Sequence, residues 1–251
     1  VTHPTVSAHT PLILIHGWGG SSHAWERVLP ELLTAGFSTP ISAVDLPGSP
    51  IGMVSDDATI ASAADHVIAV AEQTGTPAVV VGHSLGGQVS LLVHARRPDL
   101  VAAEVVVDPA YGADESEAAS MRTLAAAIRS AGPRALVDFF ESGFGVLGSQ
   151  EREDILADLQ ATHADVLASY LESEYLAADA IGFLEATTAV ARRRVRPLLA
   201  FHSSERGAGI ERALLPPTGS VVRRWDGHGH FLHLEDPARF ALETKSWTTD
   251  L

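Results

Sequence analysis

Cysteine is absent from the 251 residues, which excludes disulfides, thiolate metal sites and a cysteine nucleophile. Lysine is nearly absent too: Lys245 is the only one, and every other basic side chain is arginine. Positive charge is scarce, with 17 Lys and Arg against 31 Asp and Glu and a net charge of −14. That balance argues against nucleic acid or an anionic membrane as a partner. No apolar run approaches the roughly 20 residues of a membrane-spanning helix. The opening Val1-Thr2-His3-Pro4 has neither the charged nor the apolar region of a signal peptide, so a cytoplasmic location is expected. Internal repeats and low-complexity linkers are missing as well.

What is present is a globular composition, 46% hydrophobic and 19% charged, at a length that suits one α/β domain with an inserted subdomain. Leu12-Ile13-Leu14-Ile15 is apolar without alternation, as expected of a strand buried on both faces of a parallel sheet. It runs into the glycine-rich His16-Gly17-Trp18-Gly19-Gly20. Ser21 and Ser22 can cap a following helix with Trp25, Val28, Leu29, Leu32 and Leu33 at helical spacing; Pro30 predicts a kink or early break, and Gly36 a stop. Residues 41–46 read as a second strand closing in Asp45-Leu46-Pro47-Gly48. Residues 59–74 read as an amphipathic helix with Ile60, Ala64, Val67, Ile68 and Ala71 on one face. Ala78-Val79-Val80-Val81 is a third strand, and 101–107 a fourth that ends in Asp108-Pro109. Strands alternating with helices indicate right-handed βαβ units.

Between the third strand and the helix from Leu85 to Arg97 stands Gly82-His83-Ser84-Leu85-Gly86. A G-x-S-x-G between strand and helix reads as a nucleophile elbow, a strained turn with the serine at its apex. Glycines at 82, 86 and 87 are expected because a Cβ there crowds the strand or the packed helix turn. The helix N-terminus adds N–H groups and partial positive charge beside any oxyanion formed at Ser84.

From 115 to 194 the rhythm changes. Helical segments are expected near 115–131, 133–142 and 150–180, carrying Phe139, Phe140, Phe144, Leu147, Tyr170, Tyr175 and Phe183, some of which should line an apolar pocket. Arg192-Arg193-Arg194 and Arg196 read as a solvated helix end. Strands return at 197–201 and 221–225, and Asp236-Pro237 starts a terminal helix. Between them lies Gly227-His228-Gly229-His230-Phe231-Leu232-His233. A serine nucleophile needs a base, and the base an orienting carboxylate. A rival reading of His228, His230 and His233 as metal ligands lacks an aspartate at Leu232 and further ligands downstream, so zinc is not expected.

The ordered series His-Gly-Trp-Gly-Gly, Asp-Leu-Pro-Gly, Gly-His-Ser-Leu-Gly-Gly and Gly-His-Phe-Leu-His-Leu-Glu-Asp-Pro resembles the α/β-hydrolase superfamily over essentially the whole chain. The resemblance implies a mostly parallel sheet flanked by helices, with residues 1–110 and 196–251 as the core and 111–195 as a helical cap. It implies that the superfamily's first one or two antiparallel strands are missing. It makes Ser84 the nucleophile and His230 the base, with His228 and His233 as flanking candidates. The backbone amides of Trp18 and Leu85 become the oxyanion donors. His16 is expected to hold its loop, His83 to pack beside the elbow without a catalytic part, and Asp45 to be structural. The acid stays open. Most of the superfamily carries it after the strand at 197–201, where the expected position falls on Arg206 with Glu205 one residue short; some members use the end of the preceding strand, here Asp108. Asp108 is the first choice and Glu205 the second. The activity implied is cofactor-free, metal-independent hydrolysis of an ester or lactone of an apolar small molecule, acyl-homoserine lactones included. A lyase, a cofactor-free oxygenase and a non-turnover ligand receptor are the alternatives.

Overall fold

The computed structural model describes residues 6, 7, 9–52, 55 and 57–251; the Val1-Thr2-His3-Pro4 opening lies outside them. Six strands, β1 (Leu12–Ile15), β2 (Ile41–Val44), β3 (Ala78–His83), β4 (Val101–Val107), β5 (Leu198–His202) and β6 (Val221–Arg224), form one sheet in the order β2-β1-β3-β4-β5-β6. Every pairing is parallel. The four inner strands are buried along their whole length, which is why they show no polar alternation.

Their side chains alternate between two faces. Leu12, Leu14, Val79, Val81, Val105, Val107, Leu199 and Phe201 face one layer with Trp25, Val28, Leu32, Phe240 and Trp247. Ile13, Ile15 and Val80 face the other with Ala63, Ala64, Val67, Val89 and Val93. The first layer contains α1 (Val28–Thr34) and the second α2 (Ile60–Gln73) and α3 (Leu85–Arg96). In α2 Ala63 is buried, and Ile68 is only partly covered.

The break near Pro30 falls ahead of it. A 3₁₀ turn at Ser22–Trp25, capped by the Ser21 side chain, gives way to α1 at Val28, so Pro30 sits in the first turn, where its missing N–H costs no bond. Gly36, at φ 94°, ends α1: its amide donates to Leu33 O and that of Phe37 to Leu32 O.

Helices α4 (Ala118–Ala131), α5 (Val137–Ser142), α6 (Ser149–Ala161), α7 (Ala164–Tyr175) and α8 (Leu184–Ala191) fill the chain between β4 and β5. The expected 150–180 helix is thus two, broken at Thr162 and His163, whose extended ψ values of 132° and 140° reverse the chain. Helix α9 (Glu205–Ala213) follows β5, and α10 (Leu232–Glu235) and α11 (Pro237–Thr249) close the fold. On α11 the Lys245 ammonium stands 4.9 Å from the centre of the Phe37 ring. No helix among the described residues is long and apolar enough to cross a membrane.

The arginine run is not a solvated helix end throughout. Arg194 is 6% exposed. Its guanidinium pairs with Glu104 of β4 (Nε to Oε2, 3.0 Å) and Glu211 of α9 (Nη1 to Oε1, 2.8 Å), and donates to the Tyr111 hydroxyl. His94 Nε2 accepts the amides of Val195 and Arg196, so His94 is neutral and donates from Nδ1 to Glu104 at 2.8 Å. Burial alone would raise the Glu104 carboxyl; Arg194 and His94 outweigh it and bring it down to about 2.

Candidate active site

The register aligns Ile15 with Gly82, His83 with Val107, and Val107 with Phe201. The segments leaving β1, β3, β4 and β5 therefore emerge side by side at the carboxyl edge of the sheet, where open α/β sheets bind ligands. They carry Trp18, Ser84, Asp108 and Ser203.

Ser84 sits between β3 and α3 with φ 51° and ψ −118°. The glycines around it permit the turn: a Cβ at Gly82 would fall on the Gly86 carbonyl, one at Gly86 on the Ile15 carbonyl, and one at Gly87 2.6 Å from Pro109 Cβ. Ser84, Asp108 (φ 42°) and Leu215 are the non-glycine residues with positive φ among those described. Such backbone costs of order 1–3 kcal/mol per residue and persists where the surroundings over-determine it. Here the Ser84 amide donates to Val107 O, the Asp108 amide to Phe201 O, and the Ala110 amide to Ser84 O.

His230, on the loop after β6, faces Asp108, with Nδ1 2.8 Å from Oδ2. Asp108 also accepts the Ser203 amide at 3.0 Å and its hydroxyl at 2.8 Å. Burial pushes the Asp108 pKa up, but the bonds from His230 and Ser203 prevail and hold the carboxyl below its usual range. An ionised carboxylate only accepts, so His230 donates from Nδ1 and its Nε2 is left as an acceptor. The His230 amide donates to Gly143 O at 2.7 Å, and the Gly229 amide to both Glu235 carboxylate oxygens at 2.8 and 3.0 Å. Gly143 and Gly145 permit this crossing, since a Cβ on Gly145 would run into the Gly229 amide.

The alternatives lie elsewhere. Glu205 opens α9 with its side chain 63% exposed, bonded to Arg212 and Arg224. Arg206 is exposed and 3.5 Å from Glu117. His228 bonds the Asp226 carbonyl and packs against Trp225. His233 is fully buried against Trp25 and His83, and both of its ring nitrogens lack a hydrogen-bond partner. The three histidines therefore do not converge, and no group of three His, Asp or Glu among the described residues is arranged to hold a metal. His16 is buried; Nδ1 contacts Gly17 O and Nε2 accepts the Leu46 amide, fixing the loop after β1. Asp45 accepts the amide and hydroxyl of Ser22.

No hydrogen bond among the described residues engages the amides of Trp18 or Leu85. The Trp18 indole donates to Leu167 O of α7 at 3.0 Å and its ring packs against Phe139 and Phe140. Trp18, Phe139 and Phe140 belong to a cavity of about 640 Å³ that Ser84, His230, Ile155, Phe231 and Leu234 also line. Two polar straps join α6 to the segment after β1 beside it: Arg27 to Glu151 at 2.5 Å, and Asp158 to Ser21 and His23 at 2.5 and 3.2 Å. Ser203 had no sequence signal, because a serine in a loop announces nothing until Asp108, 95 residues away, meets it.

A parallel sheet with a serine on a strained strand-to-helix turn, lining one cavity with a histidine that is bonded to an aspartate, fits the α/β-hydrolase architecture. The chain belongs to the alpha/beta hydrolase family, whose model matches residues 12–244. Among curated relatives, a pimeloyl-[acyl-carrier protein] methyl ester esterase of Neisseria meningitidis is 46% identical over 88 residues, 35% of this chain and 26% of that protein. Lipase LipV of Mycobacterium tuberculosis is 38% identical over 109 residues, 42% of this chain and 39% of that one. The matched stretches thus span well under half of those relatives. The esterase RhEst1 from Rhodococcus sp. ECU1013 aligns over 98% of this chain and 93% of its own at 26% identity and a TM-score of 0.75. A thermophilic esterase from Thermogutta terrifontis, at 18% identity, shares the fold over 96% of this chain and 90% of its own with a TM-score of 0.80.

Proposed function

We propose that the chain is a serine hydrolase of carboxylic esters or lactones of largely apolar small molecules, with Ser84, His230 and Asp108 as its triad and residues 111–195 as a cap over the site. The observation that carries the reading is the Asp108–His230 contact of 2.8 Å beside a cavity shared with Ser84. The esterase and lipase names of the relatives support ester cleavage.

In this reading His230 Nε2 takes the proton from Ser84 as the oxygen attacks the carbonyl carbon. The tetrahedral oxyanion is met by the unpaired amides of Trp18 and Leu85, each such donor being worth roughly 3 kcal/mol in the transition state. The intermediate collapses to an acyl-serine, and His230 returns the proton to the departing alkoxide, which leaves as the alcohol. Water then attacks the acyl-serine with His230 again as base, releasing the acid and restoring Ser84. Asp108 remains ionised throughout and holds the imidazole in the tautomer that can accept. The walls of Trp18, Phe139, Phe140 and Ile155 suit an apolar acyl or alcohol group, and about 640 Å³ suits a small molecule.

The test is hydrolysis of p-nitrophenyl esters, with lactones in parallel. Ser84→Ala is expected to lose several orders of magnitude in kcat while remaining folded. Retention of more than about a tenth of the activity by pure Ser84→Ala contradicts the assignment.

A further inference from the structure

His83 is in direct contact with both ends of the reacting pair. It precedes Ser84 in the chain, and its Nε2 lies 3.0 Å from the carbonyl oxygen of His230. The ring is 2% exposed, and its centre is 4.8 Å from that of His230 and 4.5 Å from that of His233. A carbonyl only accepts, so His83 must carry its proton on Nε2. The His230 backbone is thus held from both sides, by Gly143 O on its amide and by His83 on its carbonyl. Among the described residues this is the hydrogen bond that ties the loop after β6 to the strand that carries the nucleophile, and Phe231 adds a ring contact to His83 at 5.0 Å.

We infer that His83 is a positioning residue for the base: its neutral imidazole, donating to the His230 carbonyl, sets the height of the His230 ring above Ser84. The inference rests on the reading of His230 as the base. A neutral donor suits the place because His230 gains a proton in each half-reaction, and a second cation with its ring centre 4.8 Å away would oppose that gain. The groups that face His83 favour neutrality: burial first, then His233 and His230, lower its pKa well below the ordinary value, as does His16 from the end of β1, and the bond to the His230 carbonyl opposes them only in part. Gly17 leaves the ring its space, since a Cβ there would lie 2.8 Å from His83 Nδ1.

Two variants separate this role from simple packing. His83→Phe keeps an aromatic ring and removes the N–H; His83→Gln keeps an N–H at similar reach and removes the ring. Small misplacement of a reacting group costs up to about 100-fold. In His83→Phe, kcat is expected to fall about 10- to 100-fold with KM within about twofold, while His83→Gln stays within about fivefold of the parent. The far-downfield proton resonance of the His230 Nδ1–H in its bond to Asp108 gives an independent readout. It is expected in the parent and in His83→Gln, and shifted or broadened away in His83→Phe. If kcat of His83→Phe stays within about threefold, or both variants lose activity equally with the resonance intact, the inference is overturned. His230→Ala is the control for the underlying reading: if it retains activity the triad itself is wrong, whatever His83 does.

Discussion

Asp108 and Glu205 satisfy the same chain order after Ser84, yet their surroundings differ in every physical respect. Asp108 is held by His230 and by both donors of Ser203 on strained backbone, whereas Glu205 is a solvated first-turn residue of α9 paired with two arginines. Asp108→Asn is expected to lower kcat by about 10⁴, as when an imidazole is held in the wrong tautomer. Glu205→Gln should keep most of the activity, since exposed pairs contribute little; steady-state kinetics on folded protein checks both. His233 predicts a pH effect. Burial holds its pKa down at about 3, against an ordinary 6.5, so the unfolded chain binds a proton between those values that the folded chain refuses. Stability is therefore full above about 6.5 and falls as pH drops below it. His233→Phe removes the titration and the two unpaired nitrogens, and thermal melts should show a higher Tm than the parent at pH 5 with a smaller gap at pH 7.5.

Among the elements, those built on uninterrupted apolar runs were readable: β1, β3, β4 and β5 stand where the apolar runs do, because burial on both faces leaves no other composition. The elbow was readable for a related reason, since its glycines answer steric demands set within a few residues. Helix α9 was not anticipated. Its sequence Glu-Arg-Gly-Ala-Gly-Ile-Glu-Arg-Ala has no apolar stripe, and the residues it buries are Ala208 and Glu211, the latter against Arg194. The arginine run misled for the same reason: the carboxylates that draw Arg194 inward are 90 and 17 residues away. That network anchors the return of the helical insertion to β4 and α9. Removing one member leaves charge buried without its partner, so Arg194→Ala should cost about 3–5 kcal/mol in chemical denaturation. At low pH the network fails with a defined sign. Glu104, lowered from 4.5 to about 2, contributes stability that is complete above about 4.5 and is lost as pH falls toward 2.

For the molecule as a whole, composition excluded thiol chemistry and disfavoured polyanionic partners before any element was placed, and four ordered motifs identified the architecture. What composition could not reveal is how the long-range pairs organise space: the Trp18–Leu167 bond and the straps from α6 make the cavity, and each spans more than 120 residues. The scarcity of lysine has a practical side. Phe37, under the Lys245 ammonium, lies between the end of α1 and the start of β2, hence at the amino-terminal edge of the sheet, whereas Ser84 and the cavity stand at the carboxyl edge. Amine-directed coupling to a solid support therefore has one side-chain target in these 251 residues, on the far side from the cavity. Protein bound through Lys245 would be tethered in a single orientation with its pocket turned toward the solution.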